Sequence, residues 1–186
     1  MTNGLINRFE EGNIHPSSWK HRKKLLLIAA VGFCIALYLG LYQVNVFTTV
    51  WDPLFGSGSE KVLHSSFSKA LPIPDALMGA FAYLFDIVFD SIGDEYRWKT
   101  KPWVVIIFGA GICFFALVSL FLIFAQAFII KSFCTLCLAS AFLSLCLVPL
   151  GAKEFVATLQ YLKLARERGD SVWKIALGKA SGRIIK

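Results

Sequence analysis

Four stretches of the chain, residues 25–47, 76–92, 103–130 and 133–150, are apolar and almost free of charge. In hydrocarbon every backbone N–H and C=O must find its partner within the segment, so stretches of this kind cross a bilayer as helices. About 20 helical residues cover the roughly 30 Å of a bilayer core. The first and third stretches span it comfortably. The second and fourth are short and would stand near the bilayer normal or be shielded by the others. Composition agrees: 56% of residues are hydrophobic and only 17% charged, against about a quarter charged in soluble domains. The first stretch is too long for the apolar core of a signal peptide and has no small-residue cleavage site after it, so it is expected to be retained.

The expected fold is therefore all-α and integral to the membrane, a four-transmembrane-helix bundle. Residues 1–24 form a basic N-terminal segment, 25–150 the bundle, and 151–186 a basic amphipathic tail. In the tail, Phe155, Leu159 and Leu162 recur at helical spacing and Gly169-Asp170-Ser171 breaks the pattern. It reads as one or two helices lying on the inner leaflet. Between the first two spans, apolar residues are dense from Trp51 to Phe55 and again from Leu71 to Pro74. That loop is expected to fold down as a partly ordered lid on the outer end.

Charge sets the orientation. Of the 19 Lys and Arg residues, only Lys61, Lys69 and Lys131 lie on one side of the spans. The positive-inside rule puts the other side, with both termini, in the cytoplasm of a cell-membrane protein. The net charge of +7 could suggest nucleic acid. These residues flank hydrophobic spans, however, where they act as topology signals and contacts to anionic lipids, so no nucleic-acid partner is expected.

Of five cysteines, Cys34, Cys113 and Cys146 stand alone inside spans and read as packing residues. Cys134 and Cys137 differ. A spacing of three puts both on one helix face within reach of a disulfide. They lie at the first turn of the fourth helix, where the helix dipole favours a thiolate, and Lys131 just before them adds to that. Their outward position suits an oxidising compartment. Zinc would need four Cys or His ligands, and His15, His21 and His64 provide no second pair, so no metal is expected. His64 beside Ser65 and Ser66 does not make a catalytic dyad.

Polar residues within spans are costly and often functional. Asp86 and Asp90 lie one helical turn apart. Asp90, near the inner surface, is expected to be solvated or to pair with Arg97, and Asp86 to face the bundle interior or a cavity. Gln126, about two turns before Cys134, is placed either to hydrogen-bond a ligand near the cysteines or to join helices. Asp75, after Pro74, reads as a helix cap.

Three stretches, in this order, resemble the vitamin K epoxide reductase family. They are Ser59-Glu60-Lys61-Val62-Leu63-His64-Ser65, then Pro72-Ile73-Pro74-Asp75-Ala76-Leu77-Met78-Gly79-Ala80-Phe81-Ala82-Tyr83, then Phe133-Cys134-Thr135-Leu136-Cys137-Leu138-Ala139-Ser140. The resemblance covers roughly residues 25–150. It implies a four-helix bundle around a membrane quinone, menaquinone or ubiquinone, with thiol–disulfide chemistry beside the ring. By the same resemblance Cys137 is the quinone-proximal thiol, Cys134 its partner, and Ser65 the loop serine near the ligand. Gln126, Phe114, Phe115 and Phe142 are further candidates to contact the ring, although core packing explains the three phenylalanines equally well. Family members typically carry two more cysteines in the outer loop, which relay electrons from a thioredoxin-fold partner. Residues 48–75 here have none, and Ser59 stands where the second is expected. Either a thiol donor attacks the Cys134–Cys137 disulfide directly from the outer side, or another reductant serves, or the function is lost.

The function expected is thus a membrane thiol:quinone oxidoreductase. The alternatives are a non-catalytic four-helix scaffold or assembly protein with a structural disulfide, and a small transporter built on Asp86.

Overall fold

The computed structural model describes residues 17–56, 58–65, 74–167 and 172–177, which are helical with no strand among them. The elements are α1 (Trp19–Gln43), α2 (Gly58–Leu63), α3 (Asp75–Ser91), α4 (Arg97–Thr100), α5 (Pro102–Phe124), α6 (Thr135–Glu167) and α7 (Val172–Ala176); α5 continues into a π-helical turn, Ala125–Ile130. The N-terminal stretch to residue 16, the loop from Phe67 to Ile73, the expected break at Gly169-Asp170-Ser171 and the last nine residues lie outside the described residues.

Among the described residues, three helices are long and apolar enough to cross a membrane: Trp19–Gln43, Pro102–Ile130 and Thr135–Glu167. The outward face of α5 carries Leu117, Leu120 and Phe121, all exposed, as a lipid-facing helix requires. The second apolar stretch forms α3, whose 17 residues span about 25 Å, somewhat less than the hydrocarbon core.

Helix ends follow backbone chemistry more than apolar content. α1 starts ahead of the apolar stretch because Lys20, Arg22, Lys23 and Lys24 are good helix formers. It stops after Gln43, and Asn45 then adopts φ 62°, the left-handed region that asparagine tolerates. Pro102 opens α5, where its missing N–H removes no bond.

α6 departs from expectation. It does not end near residue 150 but runs through Pro149 to Glu167. The residues beyond the proline are therefore not a separate helix on the leaflet. A Cβ added to Gly109 would lie 2.3 Å from the Phe155 ring, so α5 has a notch that this ring fills. Leu162 and Ala165 cluster with Ile175 of α7, against Ile106. Leu159 faces outward, 43% exposed. The amphipathic signal was real, but α5 and α7 take up most of the apolar face.

α1 packs closely on α3 through a stripe of small residues. A Cβ at Gly32 would meet the Tyr83 ring at 2.3 Å, and one at Gly40 would meet Leu77 at 2.4 Å; Ala36 lies between them on the same face. Small residues let membrane helices approach in this way. The central core joins Leu25, Ala29, Ala36, Ala80, Tyr83, Phe108, Ile112 and Leu147.

At one end of the bundle a buried ionic cluster ties four segments together. Arg97 donates to both carboxylate oxygens of Glu154 at 2.5 and 2.7 Å and to Asp90 Oδ1 at 2.9 Å. Arg22 donates to the carbonyls of Asp90 and Gly93, and Ser17 Oγ donates to Glu154 at 2.6 Å. Asp90 thus pairs with Arg97, one of the two expectations for it, but it is fully buried instead of solvated. The cysteines lie at the opposite end.

Candidate functional site

Cys134 and Cys137 form a disulfide with Cα atoms 5.2 Å apart. Cys134 immediately precedes α6, its carbonyl accepting the Leu138 N–H at 3.0 Å. Its Sγ accepts the Cys137 N–H at 3.1 Å, so one otherwise unpaired N–H of the helix start points at the sulfur. When the pair is reduced, this N–H and the helix dipole favour a thiolate at Cys134.

The π-helical turn places Gln126 beside the same residue. Gln126 is buried, and its Oε1 accepts the Cys134 N–H at 3.2 Å. The turn closes at Lys131, which takes φ 53°, reversing the chain into α6. Extra-residue turns of this type re-aim side chains and are frequent at functional sites. Gln126 therefore does join segments, while it also lines the cavity described below.

The segment before α3 covers the disulfide. Cys134 is fully buried, in one cluster with Leu39, Tyr42, Val62 and Leu63. A Cβ on Gly58 would sit 2.3 Å from the Phe133 carbonyl oxygen, so only glycine allows α2 this close. Asp52 fastens the arrangement. It accepts from Ser59 Oγ at 2.6 Å and Ser59 N–H at 3.1 Å, from the Phe55 and Leu54 N–H groups, and from Thr135 Oγ1 next to Cys134. Burial opposes ionisation of Asp52, but the hydrogen bonds from Ser59, Thr135, Phe55 and Leu54 outweigh it and hold the carboxyl well below the usual range.

Because the folded value is depressed, these contacts add stability above the ordinary carboxylate pKa of about 3.9. That stability is lost only as pH falls through the lower folded value, leaving about pH 5 to 8 unaffected. Asp52→Asn is expected to loosen the cover and speed reduction of the disulfide by a small thiol about tenfold, the equivalent of one charge-assisted hydrogen bond of about 1.5 kcal/mol. Thiol-trapping time courses measure it. An unchanged rate would mean that Asp52 does not control access.

Below the disulfide, α1, α3, α5 and α6 line a partly open cavity of about 220 Å³ with mostly apolar walls. Cys137 lines it and Cys134 does not. Ser65, Gln126, Phe114 and Phe115 all line it as well. Phe142 does not: it is 65% exposed on the outer face of α6, because five residues beyond Cys137 a helix has turned well away from it. An apolar cavity of roughly 150 Å³ holds benzene, so this one admits a flat one- or two-ring headgroup with any long tail left outside.

Two residues at the site carry bonds with no local sequence signal. Tyr83 Oη donates to the Ser140 carbonyl at 2.5 Å and is within 3.4 Å of Ser140 Oγ. Gln43 Nε2 donates to Asp75 Oδ1 at 2.5 Å, while Gln43 Oε1 accepts the Ala76 N–H at 3.1 Å. Asp75 thus takes part in the start of α3, shared with Gln43 of α1. The available signal for Tyr83 was its register: Gly79, Ala82, Tyr83 and Asp86 share one helical face. Asp86 is buried and lines the cavity. His64 stacks edge-on with Tyr42 at 5.4 Å. No cluster of three metal-ligating side chains occurs among the described residues.

A family model described as Vitamin K epoxide reductase family matches residues 24–152. No curated protein matches the chain significantly.

Proposed function

The chain belongs to the vitamin K epoxide reductase family, and from that premise we propose that it is a membrane thiol:quinone oxidoreductase. The observation that carries the reading is that Cys137 of the Cys134–Cys137 disulfide lines an apolar cavity large enough for a quinone headgroup. Ser65, Gln126, Phe114 and Phe115 line the same cavity and suit a planar ring with polar edges. In this reading α3 is a fourth span, shielded by α1 and α5. The ionic end with Arg22 and Arg97 faces the cytoplasm together with both termini, and the cysteine end faces outward. Anionic lipids meet the basic flanks of the spans.

A donor thiolate on the outer side, from a small thiol or a thioredoxin-fold protein, attacks Cys134 and frees the Cys137 thiolate through a mixed disulfide. A second donor thiol resolves it and leaves the dithiol. Cys137 then faces the ring, while the apolar walls exclude water and Gln126 holds the Cys134 backbone in place. The quinone supplies the two-electron acceptor chemistry. With no loop cysteines to relay electrons, the donor must reach Cys134 directly, which requires the Asp52-fastened segment to move.

The burial of Cys134 also favours a second reading, a scaffold whose disulfide is structural. Thiol trapping of the purified protein, with and without a short-chain quinone, separates the two. Added quinone is expected to convert the reduced pair to the disulfide. If the redox state of Cys134 and Cys137 never responds to quinone, the oxidoreductase reading fails and the scaffold stands.

A further inference from the structure

Among the described residues, the cavity is lined besides Cys137 by three ionisable side chains, Asp75, Tyr83 and Asp86; Asp75 is bonded to Gln43 and Tyr83 to the Ser140 carbonyl, which leaves Asp86. Asp86 is 5% exposed and lines the cavity, and its Oδ1 has no hydrogen-bond partner. α3 and α6 both run from the cysteine end toward the Arg97 end. Tyr83 is bonded to Ser140, so Asp86, about one turn further along α3, is level with Ser144, which also lines the cavity. Cys137, Ser140 and Ser144 share one face of α6, and seven residues of helix rise about 10 Å. Cys137 and Asp86 therefore bracket the cavity along its length. A flat ring with oxygens on opposite edges fits that interval once a hydrogen bond of about 3 Å is added at each end.

The surroundings of Asp86 fit a proton donor better than a charge. No Lys or Arg lines the cavity among the described residues. The nearest carboxylate on its own helix, Asp90, is engaged by Arg97 and Arg22. A carboxylate without compensation among apolar walls is costly, whereas the acid form has a proton to donate.

We propose that Asp86 is the acid that protonates the ring oxygen remote from Cys137, an inference that rests on the thiol:quinone reading above. In balance, the Cys134–Cys137 dithiol loses two electrons and two sulfur-bound protons and closes to the disulfide, reducing one quinone to the quinol. One thiol proton goes to the near oxygen, and Asp86 delivers its own to the far oxygen. The other thiol proton leaves to water at the outer end. Asp86 regains a proton from water entering as the product departs.

The test uses the full chain in lipid nanodiscs with a short-chain naphthoquinone. In the oxidised protein, where no turnover occurs, adding the quinone is expected to shift a carboxylic-acid C=O infrared band that Asp86→Asn abolishes. In single-turnover oxidation of the pre-reduced protein, Asp86→Asn is expected to slow quinol formation about 100-fold, within the range for a general acid. Asp86→Glu should stay within about tenfold of wild type. The deficit of Asp86→Asn should persist at saturating quinone, reduction of the disulfide by a small thiol should keep its wild-type rate, and the wild-type rate should fall in D₂O.

An Asp86→Asn rate equal to wild type, or a loss confined to quinone affinity, overturns the assignment. So does the absence of any carboxylic-acid band that responds to quinone. If Asp86→Asn does not fold, Asp86→Glu decides: the carboxylic-acid band that responds to quinone must move in that variant, and an unmoved band overturns the assignment. A wild-type dithiol that quinone never oxidises sinks the underlying reading and this one with it, whereas an active wild type with a fully active Asp86→Asn sinks this one alone.

Discussion

Cys137→Ala is expected to lower quinone-dependent thiol oxidation by about 1,000-fold or more, the scale on which loss of a nucleophile acts. Cys134→Ala should do the same, and the double variant should be no worse, because the two sulfurs act as one unit. The size of the effect also separates catalysis from scaffolding. The disulfide closes a loop of only a few residues, so in the chain-entropy picture its contribution to stability is about 2 kcal/mol. A scaffold would therefore show a modest fall in melting temperature with its assembly role largely intact. An oxidoreductase would lose its activity while remaining folded. In the Cys137→Ala variant Cys134 is a free thiol, so its thiolate should attack the disulfide of an oxidised outer-side protein, releasing one partner sulfur as a thiolate and holding the other in a mixed disulfide that accumulates because no Cys137 is present to displace it. If non-reducing gels of membranes show no such adduct and quinone-dependent oxidation persists, Cys137 is not the quinone-facing thiol.

The long helices were legible because lipid imposes one requirement on every residue of a span, and composition records it directly. Where helices stop was less legible. α6 passes Pro149 because Gly151 sits against Ile112, Phe155 fills the notch at Gly109, and Glu154 meets Arg97. Those contacts bring together residues 39 to 57 apart, and no local pattern encodes them. The amphipathic tail was read as lipid-facing for the same reason: periodicity reveals an apolar face but not what covers it.

At the site, the cysteine pair and its place at a helix start could be read locally, since spacing and the helix dipole are local properties. The cover over Cys134 could not. Asp52 and Thr135 are far apart in sequence, and each looks like an ordinary turn or helix-start residue. Ser59 drew notice only as the place of a missing cysteine, yet it is fully buried and bonded to Asp52. The π-helical turn that swings Gln126 toward Cys134 leaves no signal in an apolar run, and Gln126 was noticed only because it is polar.

The ionic end of the bundle leads to the largest expected loss of stability. Charge counting treated Arg22 and Arg97 as topology signals, but both are fully buried. Arg97 holds Glu154 in a two-pronged bond and also contacts Asp90 and the carbonyls of Phe89, Asp90 and Ile92. Arg97→Ala would leave Glu154 buried with only Ser17 as a polar side-chain partner and weaken the hold on Asp90. Removing one partner from a buried ion pair costs about 3–5 kcal/mol, and that range is expected in detergent-solubilised unfolding. Arg97→Lys should recover little of it, since an ammonium lacks the planar fork that engages both Glu154 oxygens. Arg97→Met combined with Glu154→Met should recover most, because the buried charges leave together and Asp90 retains Arg22 at 3.7 Å. If the double variant were as unstable as Arg97→Ala, uncompensated charge would not be the cause. The loss would then lie in the carbonyl contacts that fix the loop between α3 and α4.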